Sequence, residues 1–189
     1  MIDKNRHILP RIRERRLRDP SKLFEIEQLD LEFSNGARRT YERMKSRGLG
    51  AVIIVPMKDD QTVLLVREYA AGLHHYEIGL PKGRLEPGES VLAGAQRELK
   101  EEIGFGARSL IELTRLSLAP GYMTHITRVV LARDLYPDKL PGDEPEELEV
   151  VPWPIADLLT ITAREDCTEG RTIAALYIAR DFLAAEKSP

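Results

Sequence analysis

Apolar and polar residues alternate from Leu23 to Glu27 and again from Leu29 to Phe33, which is the period of a half-buried strand. Ser34-Asn35-Gly36 then supplies a tight turn before Arg38 to Arg43, so residues 21–46 read as a β-hairpin. Ala51–Val55 is a short, wholly apolar run of the fully buried kind. Lys58-Asp59-Asp60 is a turn, and Thr62–Arg67 a further strand. Tyr76 to Pro81 reads as a brief strand entering a glycine-rich loop. Ser90 stands where an N-cap belongs, and Val91, Leu92, Ala95, Leu99, Glu102 and Ile103 trace one helical face that Gly104 closes. Strands follow at Leu110–Leu118, Thr127–Ala132 and Leu148–Val151. Pro152 and Pro154 break the chain before a short helix near Ile155–Leu159. A last helix, from Thr172 to Ala185, carries an apolar stripe at Ile173, Leu176, Tyr177, Ala179, Arg180 and Leu183. Strands, helix, strands, helix is the order of an α/β fold with a mixed sheet between helices. Residues 1–20 show no period and read as a loose basic arm.

Composition narrows the class without naming it. The chain of 189 residues suits one core, and a net charge of −3 supplies no field toward nucleic acid or an anionic membrane. Charge is local: arginines crowd Lys4 to Lys22, and five carboxylates fall between Asp143 and Glu149. The single cysteine, Cys167, excludes an internal disulfide and a cysteine-built zinc site. His7, His74, His75 and His125 lack metal-ligand spacing, and Trp153 and Tyr76 read as packing residues. No apolar run approaches the ~18 residues of a membrane span. Asp3, Glu14 and Asp19 argue against a transit peptide, so the expected location is the cytoplasm.

The chemistry gathers between Gly83 and Phe105. Glu98, Glu101 and Glu102 are three and four residues apart, so a helix places all three on one face, where like charges repel. A hard divalent cation would offset that repulsion, since magnesium takes oxygen ligands from a few carboxylates, waters and phosphates. A solvated acidic face is the plainer alternative, with Arg97 and Lys100 neutralising part of it. Glu89 is placed to reach back to Arg97, a pair that would fix the loop to the helix.

Gly83, Glu89, Arg97, Glu98, Leu99, Glu101, Glu102, Gly104 and Phe105 stand at the spacing of the Nudix box, and the chain is identified as resembling the Nudix hydrolases. The resemblance implies an α/β/α sandwich over residues 47–186, with Gly83, Glu89, Arg97 and Gly104 structural within the box. It implies Mg2+, with Mn2+ as a substitute, held by Glu98, Glu102 and the Lys82 carbonyl, with Glu101 as a ligand or a base. The implied reaction splits a nucleoside diphosphate linked to X into a nucleoside monophosphate and X-phosphate.

Within the family the chain is similar to the ADP-ribose pyrophosphatase branch. The features are Leu31–Gly36, Arg67–Ala70, Leu99–Gly106, Leu118–Pro120, Asp134–Pro137, Gly142–Glu146 and Trp153-Pro154. Substrates of that branch include ADP-ribose, NADH and diadenosine triphosphate, each releasing AMP. The resemblance further implies a catalytic base in the acidic loop, Glu144 or Glu146, and a homodimer formed through the hairpin of residues 21–46. Arg67 would hold a phosphate and Glu77 the ribose or adenine. Leu80-Pro81-Lys82-Gly83-Arg84 departs from the branch toward diadenosine polyphosphate hydrolases, with Lys82 placed to meet an extra phosphate. A nucleoside triphosphate sanitiser is the other enzymatic alternative, and a catalytically silent nucleotide sensor the non-enzymatic one. Neither nucleic acid nor membrane is an expected partner.

Overall fold

The computed structural model describes residues 11–17, 25–46 and 48–187. They divide into two compact units: the described residues up to 46 with Ala119–His125, and Gly48–Leu118 with the described residues from Ile126 onward.

The first unit is an antiparallel sheet in the order β1 (Arg11–Leu17), β2 (Glu25–Glu32), β3 (Arg38–Lys45). The β2–β3 hairpin turns at Asn35-Gly36 as the sequence predicts. Gly36 adopts φ +80°, a left-handed conformation that glycine accepts readily, and Ala37 N–H donates to Asn35 Oδ1 at 3.0 Å. The strand start expected at Leu23 and Phe24 lies outside the described residues. The basic arm is a correction: residues 11–17 form a strand instead of a loose segment. Charge holds it, because Arg13 pairs with Glu32 and Arg16 with Glu14 and Asp30, the partners Glu32 and Asp30 lying on β2. Beside β3, Met44 N–H donates to Tyr122 O at 2.7 Å and Thr124 N–H to Met44 O at 3.1 Å.

The second unit runs β4 (Ala51–Pro56), β5 (Thr62–Ala70), β6 (His75–Gly79), β7 (Lys82–Arg84), α1 (Val91–Glu102), β8 (Phe105–Ser117), β9 (Ile126–Pro137), β10 (Glu149–Pro154), α2 (Leu158–Thr162) and α3 (Gly170–Glu186). One sheet has the order β7-β4-β9-β8, mixed because β4 and β9 are parallel; the other is β10-β5-β6, antiparallel. Strand parity divides the core between two faces. Ile53, Val55, Val63, Leu65, Val129 and Leu131 pack with Leu158, Leu176 and Ala179 of α2 and α3. Val52, Ile54, Leu64, Val66 and Val130 pack with Ala95 and Leu99 of α1. This is the expected α/β/α sandwich.

Two boundaries differ from the sequence reading for physical reasons. β8 and β9 pair from Phe105↔Pro137 to Ser117↔Ile126, well beyond their apolar centres, because antiparallel hydrogen bonding extends over polar positions. β10 continues through Pro152 and Pro154. It lies at a sheet edge, and residues two apart turn their backbone the same way, so both prolines lack an N–H only on the unpaired side. Ile155 N–H still donates to Gln61 O at 2.8 Å, which postpones α2 to Leu158.

Candidate active site

Helix α1 begins at Ser90, whose hydroxyl accepts from Ala93 N–H at 3.2 Å, and ends before Gly104 at φ +74°. Its Leu99 face is buried in the core, which fixes how Glu98, Glu101 and Glu102 emerge. Strand β7 lies against this face through pairing with β4. A Cβ on Gly83 would stand 1.9 Å from Glu98 Oε1, so only glycine lets the strand pass over the carboxylate. The predicted Glu89–Arg97 pair is present at 3.0 Å. The same guanidinium reaches Glu98 Oε1 at 2.8 Å, Glu101 Oε2 at 2.9 Å and the Arg84 carbonyl at 2.8 Å. Arg97 thereby ties the loop of residues 84–89 to the helix, and its guanidinium holds the Glu89 carboxyl below its ordinary pKa.

Around this anchor the carboxylates outnumber their counter-charges. Lys82 N–H lies 3.3 Å from both oxygens of Glu102, and Lys82 Nζ pairs with Glu68 of β5. Burial pushes the Glu102 carboxyl up to about 8, helped by Glu98 and Glu68 and opposed by Lys82. Burial also raises Glu98, against the pull of Arg97. On the acidic loop Glu144 is raised by desolvation, then by Glu68 and Asp143, again against Lys82. Burial draws the Lys82 ammonium down, but Glu68, Glu102 and Glu169 carry it above its usual value. One cavity of about 490 Å³ brings together Lys82, Gly83, Glu98, Glu101, Glu102 and Glu144.

As the side chains stand, no three His, Cys, Asp or Glu groups among the described residues converge closely enough to hold a metal ion. Arg97 occupies one side of Glu98 and Glu101, and the Lys82 N–H faces Glu102. The chemistry of the donor set nonetheless fits a hard divalent cation. All donors are oxygen, and burial raises the carboxyls of Glu98 and Glu102 even with Arg97 and Lys82 beside them.

Of the remaining expected residues, Glu146 lines a further cavity of about 420 Å³ together with Glu98, Glu101, Glu102 and Glu144, whereas Arg67 and Glu77 lie apart. Arg67 donates to Glu149 at 3.0 Å and to Asp166 at 2.9 Å. It alternates on β5 with Glu68, so the two point to opposite faces. Glu77 is buried on β6 and lines a second cavity, where its Oε2 accepts from Thr168 N–H at 2.8 Å and Thr168 Oγ1 at 3.0 Å. Glu146 accepts from the Tyr76 hydroxyl at 2.6 Å. Tyr76, expected as a packing residue, is 45% exposed and serves the acidic loop instead. Trp153 does pack, with its indole N–H on the Asp157 carbonyl at 2.8 Å. Glu68 was missed by sequence reasoning. The available signal was parity, since Glu68 follows Leu64 and Val66 on the face of β5 turned to α1.

A sandwich of this order with this carboxylate helix defines a class. The chain belongs to the Nudix hydrolase family: the NUDIX domain model matches residues 47–171, and the NudE-type Nudix hydrolase N-terminal domain model matches residues 10–43. It is 49% identical over 166 residues to the ADP compounds hydrolase NudE of Escherichia coli, covering 88% of this chain and 89% of that protein. A solved structure described as that of an ADP compounds hydrolase superposes with a TM-score of 0.88 at 46% identity, covering 96% of this chain and 97% of the other. The ADP-ribose pyrophosphatase of Bacillus subtilis is 29% identical over 170 residues, covering 88% of this chain and 91% of that protein.

Proposed function

We propose that this Nudix hydrolase cleaves the diphosphate of ADP-containing compounds, with ADP-ribose, NADH and diadenosine triphosphate as substrates and AMP as the common product. The observation that carries this reading is the cavity in which Glu98, Glu101, Glu102 and Glu144 surround Lys82. The names of the Escherichia coli and Bacillus subtilis relatives, both specifying ADP-linked substrates, support the choice of substrate class.

Glu98, Glu102 and the Lys82 carbonyl would hold Mg2+ or Mn2+, with Glu101 as a further ligand. The ion would supply neutralisation of the diphosphate and acidification of water. The chain's own residues do the rest. Arg97 keeps Gly83 and the carboxylate helix in register through its bonds to Glu89 and the Arg84 carbonyl. Lys82 offers an ammonium to a phosphate oxygen. Glu144, whose carboxyl is raised above its ordinary value, is our choice of base over Glu146, which Tyr76 engages. It takes one proton from the attacking water as the oxygen bonds to phosphorus and the bridging oxygen departs with the second phosphate. We assign Arg67 a structural role, since its Nε and Nη1 groups already donate to Glu149 and Asp166. The polyphosphate reading ranks second, because the Escherichia coli and Bacillus subtilis relatives are named for ADP compounds and ADP-ribose.

Two further assignments complete the reading. Residues 10–43 match an N-terminal domain of the NudE type, and the hairpin of residues 21–46 is proposed as the homodimer contact. No helix among the described residues is long and apolar enough to cross a membrane, and Cys167 is a free thiol, which supports a cytoplasmic assignment. The test is chromatography of products from ADP-ribose, NADH, diadenosine triphosphate, diadenosine tetraphosphate and 8-oxo-dGTP with Mg2+. AMP from the ADP compounds is expected, with kcat/KM at least about 100-fold lower in Glu102→Gln, the scale for disturbing a metal site. Preferential turnover of 8-oxo-dGTP or the tetraphosphate would contradict the substrate class.

A further inference from the structure

The loop between β9 and β10 brings Glu144 to the carboxylate cavity against its own charge. Asp143, Glu144 and Glu146 line a cavity with Glu98, Glu101 and Glu102, and like charges at close range repel. Lys82 draws Glu144 inward but is already paired with Glu68. Attachment at the two ends of the loop is plain. Leu140 N–H donates to Lys100 O at 3.1 Å and Lys100 Nζ pairs with Asp138 at 2.8 Å, while Leu148 packs beside the apolar cluster of α1. From Pro141 to Glu147, one hydrogen bond among the described residues reaches another element: the Tyr76 hydroxyl of β6 donates to Glu146 Oε1 at 2.6 Å.

The fold prepares Tyr76 for that contact. Tyr76 opposes Tyr69 in the β5–β6 ladder, and the two rings meet edge to face with centroids 5.8 Å apart. Tyr69 is fixed in turn by a 2.6 Å bond between its hydroxyl and His74 Nδ1. The Glu146 carboxylate raises the pKa of the Tyr76 hydroxyl, which therefore stays protonated and a donor. Only Pro145 separates Glu146 from Glu144. Proline fixes its own φ and bars the residue before it from the helical region, so a constraint at Glu146 is carried to Glu144 through few free torsions. We infer that Tyr76 is a positioning residue for the base: through Glu146 its hydroxyl holds the acidic loop so that Glu144 stays at the carboxylate cavity. This rests on the pyrophosphohydrolase reading with Glu144 as base, and adds to it what keeps that base in place.

Tyr76→Phe deletes the hydroxyl and keeps the ring against Tyr69. Tyr76 lines neither of the two cavities that contain Glu144, so the loss should fall on kcat and leave KM little changed. With ADP-ribose and Mg2+, kcat should drop about 10-fold, the scale of one hydrogen bond to a charged group. Glu146→Ala should match it. Glu146→Gln should lose less, because its amide oxygen still accepts from the phenol. In a Glu144→Gln background Tyr76→Phe should add nothing, since its effect passes through Glu144, whereas a general weakening of the fold would add in both backgrounds. Cleavage after Glu147 by a glutamyl protease, mapped by mass spectrometry, reads the loop without substrate and should be faster in Tyr76→Phe. Unchanged kcat in Tyr76→Phe, additive losses, or a fully active Glu144→Gln would overturn the inference. An inert wild type would overturn the functional reading instead, while the cleavage rates still decide whether Tyr76 holds the loop.

Discussion

Residues 67 and 68 are neighbours on β5, yet they enter two differently balanced clusters of charge. Arg67 turns to the α3 face and joins Glu149, Asp166 and Arg164 in bonds of 2.7 to 3.0 Å, two cations against two anions. Arg164 and Arg67 hold the Asp166 carboxyl far below its ordinary range. Glu68 turns to the α1 face, where Lys82 meets Glu68, Glu102 and Glu144 while Arg97 is shared by Glu89, Glu98 and Glu101. There the carboxyls of Glu98, Glu102 and Glu144 lie above their ordinary values. A balanced cluster answers its own charges and stiffens the fold. A cluster short of positive charge is poised for a cation and a substrate, at some expense to stability.

The contrast can be sharpened by removing one carboxylate from each side. Glu144→Gln should lower kcat about 10²- to 10⁴-fold, the usual contribution of a positioned base, with little change in melting temperature. The same change at Glu146 should act weakly, because the amide oxygen still accepts from the Tyr76 hydroxyl; equal losses in both would break the assignment of roles. A smaller effect is expected from Asp166→Asn, on stability rather than rate: about 1 kcal/mol, read by denaturant unfolding. Its pH dependence carries a definite sign. The folded carboxyl has a lower pKa than the unfolded one, so its stabilisation is complete above the unfolded value near 3.8 and fades as pH falls toward the folded value. Wild type and variant should therefore converge in stability in acid and separate above pH 5. A difference that persists unchanged to pH 2 would contradict the ion-pair account.

Local patterns were the legible ones. The spacing of Glu98, Glu101 and Glu102, the Ser90 cap, the Glu89–Arg97 pair and the Asn35-Gly36 turn each depend on residues within a few helical turns or one hairpin. Contacts between distant segments were hidden. Glu68 becomes a site residue only once β5 parity and the course of β7 are known together, and Tyr76 meets Glu146 across 70 residues. β1 lacked an apolar period because arginines pairing with β2 hold it, a form of strand pairing that hydrophobic alternation does not register. Arg67 shows the converse limit. A strand-end arginine resembles a phosphate clamp in sequence, and only the positions of Glu149 and Asp166 reveal that its Nε and Nη1 are engaged by carboxylates.

The central claim is that the carboxylates left short of positive charge around Lys82 form a divalent-cation site. Electron paramagnetic resonance of Mn2+ counts the free ion directly and requires no substrate. Titrating Mn2+ into wild type and Glu102→Gln should show saturable loss of the free signal in the first, and a binding constant at least about 10-fold weaker in the second. Equal Mn2+ binding by both proteins, or none by the wild type, would contradict the account.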